Sequence, residues 1–166
     1  MKLKTKKFTK EVNRIFAEYF DFDDVDFIFD TTWYRYGDEV HFCPFLDEPN
    51  DMKYKRFLFE EFQMKVENMF FFSFMHELGH IVTLDDFRED EPKAYKKSRK
   101  GEKKIIKKLN KGEPVGEYDY FRLPHEYIAT EWAVNTIKDN PEKVVKACTE
   151  LNNALVTFLQ KNQKKI

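Results

Sequence analysis

Apolar residues recur every three or four positions along much of the chain, which is the spacing of one face of a helix. This pattern predicts an amphipathic helix at about residues 7–20 and one long helix, or two with a kink, over residues 55–84. Pro124 opens another helical stretch that ends near residues 139–141, and Asn140 can cap a final helix after it. The chain is therefore predicted to be mostly helical.

Two short stretches alternate apolar and polar residues instead, as a strand with one buried face does. They lie at residues 25–30 and 40–43, and a turn centred on Gly37 separates them. This pattern predicts a small antiparallel sheet beside the helices. The expected fold class is α+β, a mostly helical domain with a small antiparallel sheet.

The composition favours one folded domain that spans residues 1–166. The chain has 18 phenylalanines, 8 tyrosines and 2 tryptophans but only 5 glycines and 6 prolines, which favours a helix-rich core over a loop-rich protein. No apolar stretch is long enough to span a bilayer, and the lysine-rich N-terminus is not followed by an apolar signal segment. Cys43 and Cys148 are too few and too far apart for a disulfide framework or a thiolate zinc site, so two free thiols in a reducing cytoplasm are expected.

Charge is unevenly distributed, although the formal net charge is only -1. Residues 1–92 contain 12 basic and 21 acidic side chains, whereas residues 93–166 contain 17 basic and 9 acidic ones. Many of the lysines lie in a charged excursion at residues 92–112, which predicts a weakly docked helix or a mobile segment. Its role stays open among a solvated face, a lid over a cleft, and a patch that attracts an acidic partner or a phosphate backbone.

The most specific chemical signal follows the densest apolar run, at residues 69–75. The sequence His-Glu-Leu-Gly-His occupies positions 76–80. Histidines four apart on a helix project from the same face, so His76 and His80 can bind one metal ion, and Glu77 then lies beside that ion as a general base. The alternative is a pair of structural histidines with hydrogen-bond partners, because unpaired histidines are costly to bury.

A catalytic zinc site needs a third protein ligand and one open position. Asp86 stands where an extended motif would place a third histidine, so the ligand is expected later in the chain. Glu126 is the preferred candidate because it lies in the first turn of the helix after Pro124, where the helix dipole favours an ionised carboxylate. The alternatives are Glu131 and His125. Glu131 projects about 140° around the helix from Glu126, so the two glutamates are not expected on one ion.

Residues 126–133, taken together with positions 76–80, make the sequence similar to the ImmA/IrrE-type metallo-endopeptidases. These are small zinc peptidases of the gluzincin kind, common in bacteria, phages and mobile elements. In that family the His-Glu-x-x-His helix is followed by a helix with the pattern Glu-x-x-Ala-x-x-x-Ala, whose glutamate is the third zinc ligand. The same order of residue types occurs here.

The resemblance implies a zincin-like domain that binds one zinc ion per chain through an active-site helix. In that arrangement His76, His80 and Glu126 are the zinc ligands, and Glu77 is the general base. Thr130 stands where the family usually has asparagine. The implied activity is hydrolysis of a peptide bond in a protein, with repressor-type regulators as the implied substrates.

Peptide hydrolysis also needs a hydrogen-bond donor for the oxyanion that forms in the transition state. Zincin-like clefts usually hold an extended peptide against a sheet edge. The resemblance therefore implies a substrate strand beside residues 40–42, with His41 close to the cleft. The candidate hydrogen-bond donors for the oxyanion are the residues near Glu126 in the sequence, namely Tyr118, Tyr120, His125 and Tyr127.

Two other functions compete with peptide hydrolysis. A catalytically silent binding protein could keep the fold and sequester a host or regulatory partner, although it would have no need of Glu77. A DNA-associated protease similar to the SprT type would dock on nucleic acid through the lysine-rich segment, but such proteins usually complete the site with a histidine, and only His125 follows His80. A protein or peptide substrate is the expected partner. Nucleic acid is not favoured, no membrane is expected, and the oligomeric state is left open.

Overall fold

A computed structural model describes residues 5–45 and 48–162. This part of the chain is mostly helical with one small sheet, which confirms the α+β class. In chain order the elements are α1 (Lys6–Phe20), β1 (Asp26–Phe29), β2 (Tyr34–Tyr36), β3 (Glu39–Phe42), α2 (Glu48–Phe62), α3 (Met69–Asp90), α4 (Pro92–Asn110), α5 (Pro124–Asp139) and α6 (Pro141–Asn162).

The described residues form two compact units. One contains residues 5–45 together with 137–162, and the other contains residues 48–136. Each unit has its own buried apolar side chains. A single domain over the whole chain stays a prediction.

The first unit is built around α1, which packs against α6 and β1. Phe8 stacks on Phe158 of α6 with ring centroids 4.8 Å apart, and Phe16 stacks on Phe27 of β1 at 4.9 Å. The helix ends where Asp21 takes a left-handed conformation with φ of 61°. The amphipathic helix predicted from the spacing of apolar residues is therefore confirmed.

The sheet is mixed, so the prediction of an antiparallel sheet is wrong. Its strand order is β1-β3-β2, with β3 parallel to β1 and antiparallel to β2. The chain leaves β1, forms β2 and reverses at Gly37, whose φ of 58° is left-handed, so that β3 enters between the two earlier strands. The alternation pattern missed β2 because this three-residue strand exposes both of its tyrosines, Tyr34 and Tyr36.

The prediction that a substrate strand pairs beside residues 40–42 is also wrong, because β3 is the middle strand of the sheet. This strand is hydrogen-bonded to a neighbour on each side, so it has no open edge to which a peptide could add. His41 has local partners, because its Nδ1 lies 3.1 Å from Asp30 Oδ2 and its Nε2 lies 3.2 Å from Glu39 Oε2. Its ring also stacks on Tyr34. These contacts hold the His41 imidazole at the sheet.

In the second unit, residues 55–84 form parts of two helices rather than one. After α2 ends, Gln63 takes a left-handed φ of 50°. The Asn68 side chain then caps α3 by accepting a hydrogen bond from the Phe71 backbone N–H at 2.9 Å. The N-terminal half of α3 is buried on most of its circumference, through Met69, Phe70, Phe71, Phe72, Phe74, Met75 and Leu78. This helix is therefore the core of the unit.

Helices α3 and α5 approach closely because small residues face each other. A Cβ atom built at Gly79 would lie only 2.4 Å from the carbonyl oxygen of Ala129, so only glycine fits at this position. Ala129 and Ala133 are themselves fully buried. The contact brings the first turn of α5 towards the two histidines of α3.

The lysine-rich segment forms the regular helix α4. Of the two structures predicted for it, a weakly docked helix and a mobile segment, the helix is the one observed. Of this helix, which is described throughout, only Ser98 is buried, and its lysines are exposed. The helix packs against α3.

The two cysteines are free thiols, as predicted, and burial raises the pKa of Cys148 to about 11. Among the described residues, no helix combines the length and the apolar character that crossing a bilayer requires.

Candidate metal centre

Two helices of the second unit bring His76, His80 and Glu126 together. The histidines lie one turn apart on α3, with their Nε2 atoms 3.1 Å from each other. The Oε2 atom of Glu126, in the first turn of α5, lies 3.1 Å from His76 Nε2 and 3.4 Å from His80 Nε2. All three residues are buried, with 9%, 9% and 6% of their surface exposed. Such a group could hold a metal ion.

The spacing of these three atoms fits a zinc ion. Imidazole nitrogen and carboxylate oxygen bind zinc at about 2.0–2.1 Å, so two ligand atoms of a tetrahedral site lie about 3.3–3.4 Å apart. The three observed separations are 3.1, 3.1 and 3.4 Å. Two imidazoles with one carboxylate are also the donor set of catalytic zinc sites that keep one position open. The residues therefore suit zinc in both chemistry and spacing.

The second oxygen of the Glu126 carboxylate, Oε1, also has hydrogen-bond partners. Its Oε1 lies 3.1 Å from His125 Nε2 and accepts a hydrogen bond from the Tyr120 hydroxyl at 3.2 Å. Burial acts to raise the pKa of this carboxyl, but hydrogen bonds from His125, His76 and His80 outweigh burial and hold the pKa well below its ordinary value. The carboxylate is thus ionised, as a metal ligand must be.

The imidazole of His76 is oriented by two hydroxyl groups. Its Nδ1 lies 3.0 Å from the Tyr54 hydroxyl and 3.2 Å from Thr130 Oγ1, and these two hydroxyls are 2.7 Å apart. His76 Nε2 donates to the Glu126 carboxylate in this contact, and a hydroxyl that accepts the Nδ1–H would leave the Nε2 lone pair for a metal ion that takes the place of this proton, which is how a second shell usually prepares a histidine ligand. Thr130 therefore contacts a candidate ligand.

Tyr54 was missed by the sequence analysis because it lies on α2, 22 positions before His76. Burial raises the pKa of its hydroxyl well above the ordinary value, so this group stays protonated and can bridge the imidazole and Thr130. A sequence signal did exist, because Tyr54 precedes the buried pair Phe57 and Leu58 by one helical turn. A tyrosine in a buried stripe needs a polar partner for its hydroxyl.

Glu77 follows His76 on α3 and is half-buried. Its charge acts to raise the pKa of His76, Tyr54 and Tyr120, after the larger effects of burial and of Glu126. The Glu77 carboxylate therefore acts electrostatically on three side chains of the cluster, by which we mean the three candidate ligands and the side chains that contact them.

The remaining candidates separate into two groups. His125 and Tyr120 contact Glu126, whereas Glu131 is exposed and lies outside the cluster. Tyr118 and Tyr127 contact the aromatic side chains of α2. The structure therefore brings two of the four proposed oxyanion donors to the third candidate ligand.

Comparisons with protein-family models, with curated proteins and with solved structures each found no match to this chain. The likeness to the ImmA/IrrE-type peptidases thus rests on the motif residues themselves.

Proposed function

We propose that the chain is a zinc-dependent metallo-endopeptidase that hydrolyses a peptide bond of a protein substrate. The observation that carries the proposal is the buried convergence of His76 Nε2, His80 Nε2 and Glu126 Oε2 at the spacing of tetrahedral zinc ligands. The neighbouring Glu77 adds the base that hydrolysis requires. A repressor-type regulator is the proposed substrate, on the strength of the motif resemblance.

Each side chain of the cluster has a role in this proposal. His76, His80 and Glu126 would hold the zinc ion, which when bound supplies Lewis-acid activation of water and of a substrate carbonyl. Glu77 accepts a proton as general base and returns it to the leaving amine. Tyr54 and Thr130 orient His76, and Tyr120 supports Glu126. A catalytically silent binding protein is less favoured because it has no use for Glu77.

Metal removal tests the proposed activity. Zinc-loaded protein is expected to cleave members of a library of unstructured peptides, and chelator-treated protein is expected to leave them intact until zinc is restored. Mass spectrometry of the fragments is the measurement. Cleavage that survives chelation, or no cleavage by zinc-loaded protein, would contradict the proposal.

One feature of α4 favours a second candidate, a DNA-associated protease. At 100° per residue its exposed lysines project over an arc of about 140° on one side of the helix. Within the described part of the chain, none of them forms an ion pair with a carboxylate. A continuous row of unpaired positive charge suits a phosphate backbone. The lysines are Lys93, Lys96, Lys97, Lys100, Lys103, Lys104, Lys107 and Lys108.

Binding of duplex DNA separates the two candidates. If the DNA-associated function is right, replacing Lys96, Lys97, Lys103 and Lys104 with glutamine should abolish binding measured by fluorescence anisotropy at low salt and should reduce its salt dependence. The matched control replaces Lys143 and Lys146 of α6, which are also exposed. No binding of wild-type protein at low salt would eliminate this candidate and leave the peptidase proposal unchanged.

A further inference from the structure

His125 joins the candidate metal centre to α4. Its side chain is buried, with Nε2 3.1 Å from Glu126 Oε1 and Nδ1 2.7 Å from Ser98 Oγ. The backbone N–H of His125 also donates to Ser98 Oγ, at 3.2 Å. Ser98 is the buried residue of α4, and its hydrogen bonds with His125 link α4 to α5.

The Glu126 carboxylate can only accept a hydrogen bond, so the contact of its Oε1 with His125 Nε2 places a proton on Nε2. With the proton on Nε2, Nδ1 of the neutral ring is an acceptor, and Ser98 Oγ, which accepts from the His125 backbone N–H, can donate its hydroxyl hydrogen to Nδ1. An imidazole that accepts at Nδ1 is protonated at Nε2 in its neutral form. The Nε2–H then donates to Glu126 Oε1, while Glu126 Oε2 faces the two histidines of α3. The two oxygens of the carboxylate therefore have separate partners.

A second metal site is a competing explanation, because Glu102, His125 and Glu126 also form a group that could hold an ion. The guanidinium of Arg99 occupies this position instead. Its Nη1 donates to Glu102 Oε2 at 2.6 Å and lies 3.3 Å from His125 Nε2, and the shorter 3.1 Å contact of Nε2 with the Glu126 carboxylate is the one that uses the Nε2–H. A fixed positive charge at this distance balances the Glu102 carboxylate and disfavours a further cation.

We propose that His125 is a positioning residue that holds Glu126 as a zinc ligand through Nε2–H, with Ser98 of α4 selecting the required tautomer. The inference rests on the proposed zinc site and assigns a role to the lysine-rich helix that its charge does not suggest. Outer-shell partners of this kind orient a ligand and increase its affinity for the metal. Helix α4 is then a structural part of the metal centre.

Two substitutions of His125 separate positioning from packing. His125→Phe keeps an aromatic ring but removes the donor, and it should weaken zinc binding by about 10–100-fold. His125→Gln retains an N–H donor near the position of Nε2 and should bind zinc nearly as tightly as the wild type. The measurement is competition with a chromogenic chelator, supported by the visible absorption spectrum of the Co²⁺-substituted protein, which should change in His125→Phe alone. His41→Phe, a histidine outside the cluster, is the matched control and should bind zinc like the wild type.

The outcomes distinguish this inference from the proposed function. Wild-type affinity in His125→Phe, or equal losses in the phenylalanine and glutamine variants, would overturn the positioning role while leaving the zinc site intact. Failure of the wild type to bind zinc would overturn both. If His125→Phe does not fold, Ser98→Ala provides the test, because loss of the tautomer-selecting hydroxyl should weaken zinc binding and unchanged affinity would refute the inference.

Discussion

Glu77→Gln is expected to reduce peptide hydrolysis by about 10²–10⁴-fold, the usual contribution of a general base. Glutamine keeps the size of the side chain on α3 but cannot accept a proton at neutral pH. Glu77 is not among the three buried side chains that could hold the ion, so zinc should remain bound. Peptide cleavage and zinc content measured on the same preparation test both parts of this expectation.

A matched control for this substitution exists on the same helix. Glu89 is exposed in the last turns of α3, so Glu89→Gln should retain both activity and metal. If Glu77→Gln cleaves peptides at the wild-type rate, the role of Glu77 as general base is wrong. If it loses zinc as well as activity, Glu77 is needed to bind the metal.

Glu126→Gln is expected to lose zinc. The substitution removes the negative charge that faces His76 and His80 but keeps the volume of the buried side chain. The loss of affinity should exceed the roughly 10–100-fold that follows removal of an outer-shell partner, because Glu126 is itself a proposed ligand. The measurement is the zinc content of purified protein after dialysis against a weak chelator.

Glu131→Gln is the control for this second expectation, since it makes the same chemical change five positions later on α5. Glu131 is exposed and should be dispensable for metal binding. Zinc retained by Glu126→Gln and lost by Glu131→Gln would reverse the choice between the two glutamates. Circular dichroism of each variant confirms that zinc loss does not reflect unfolding.

The helices could be predicted from the sequence because their signal is local. The apolar spacing in α1 and the proline at the first position of α5 describe residues within a few turns of one another. Strand order is not local, since β3 pairs directly with β1 although β2 lies between them in the sequence. Alternation in β1 and β3 indicated strands, but it could not give their direction or the exposed strand between them.

The same distinction applies to the candidate site. The spacing of His76 and His80 placed both imidazoles on one helical face, and the position of Glu126 in the first turn of the helix that Pro124 opens made it a candidate for the third ligand. Tyr54 and Ser98 reach the site from α2 and α4, and no spacing in the sequence connects them to the motif. Their roles depend on tertiary packing, including the close approach that Gly79 permits between α3 and α5.

The most direct test of the central proposal is anomalous scattering from crystals of the wild-type protein grown with zinc and measured on both sides of the zinc absorption edge. We predict one peak at about 2.0–2.1 Å from His76 Nε2, His80 Nε2 and Glu126 Oε2. The absence of a peak there, or a zinc ion bound by other side chains such as Glu131, would contradict it.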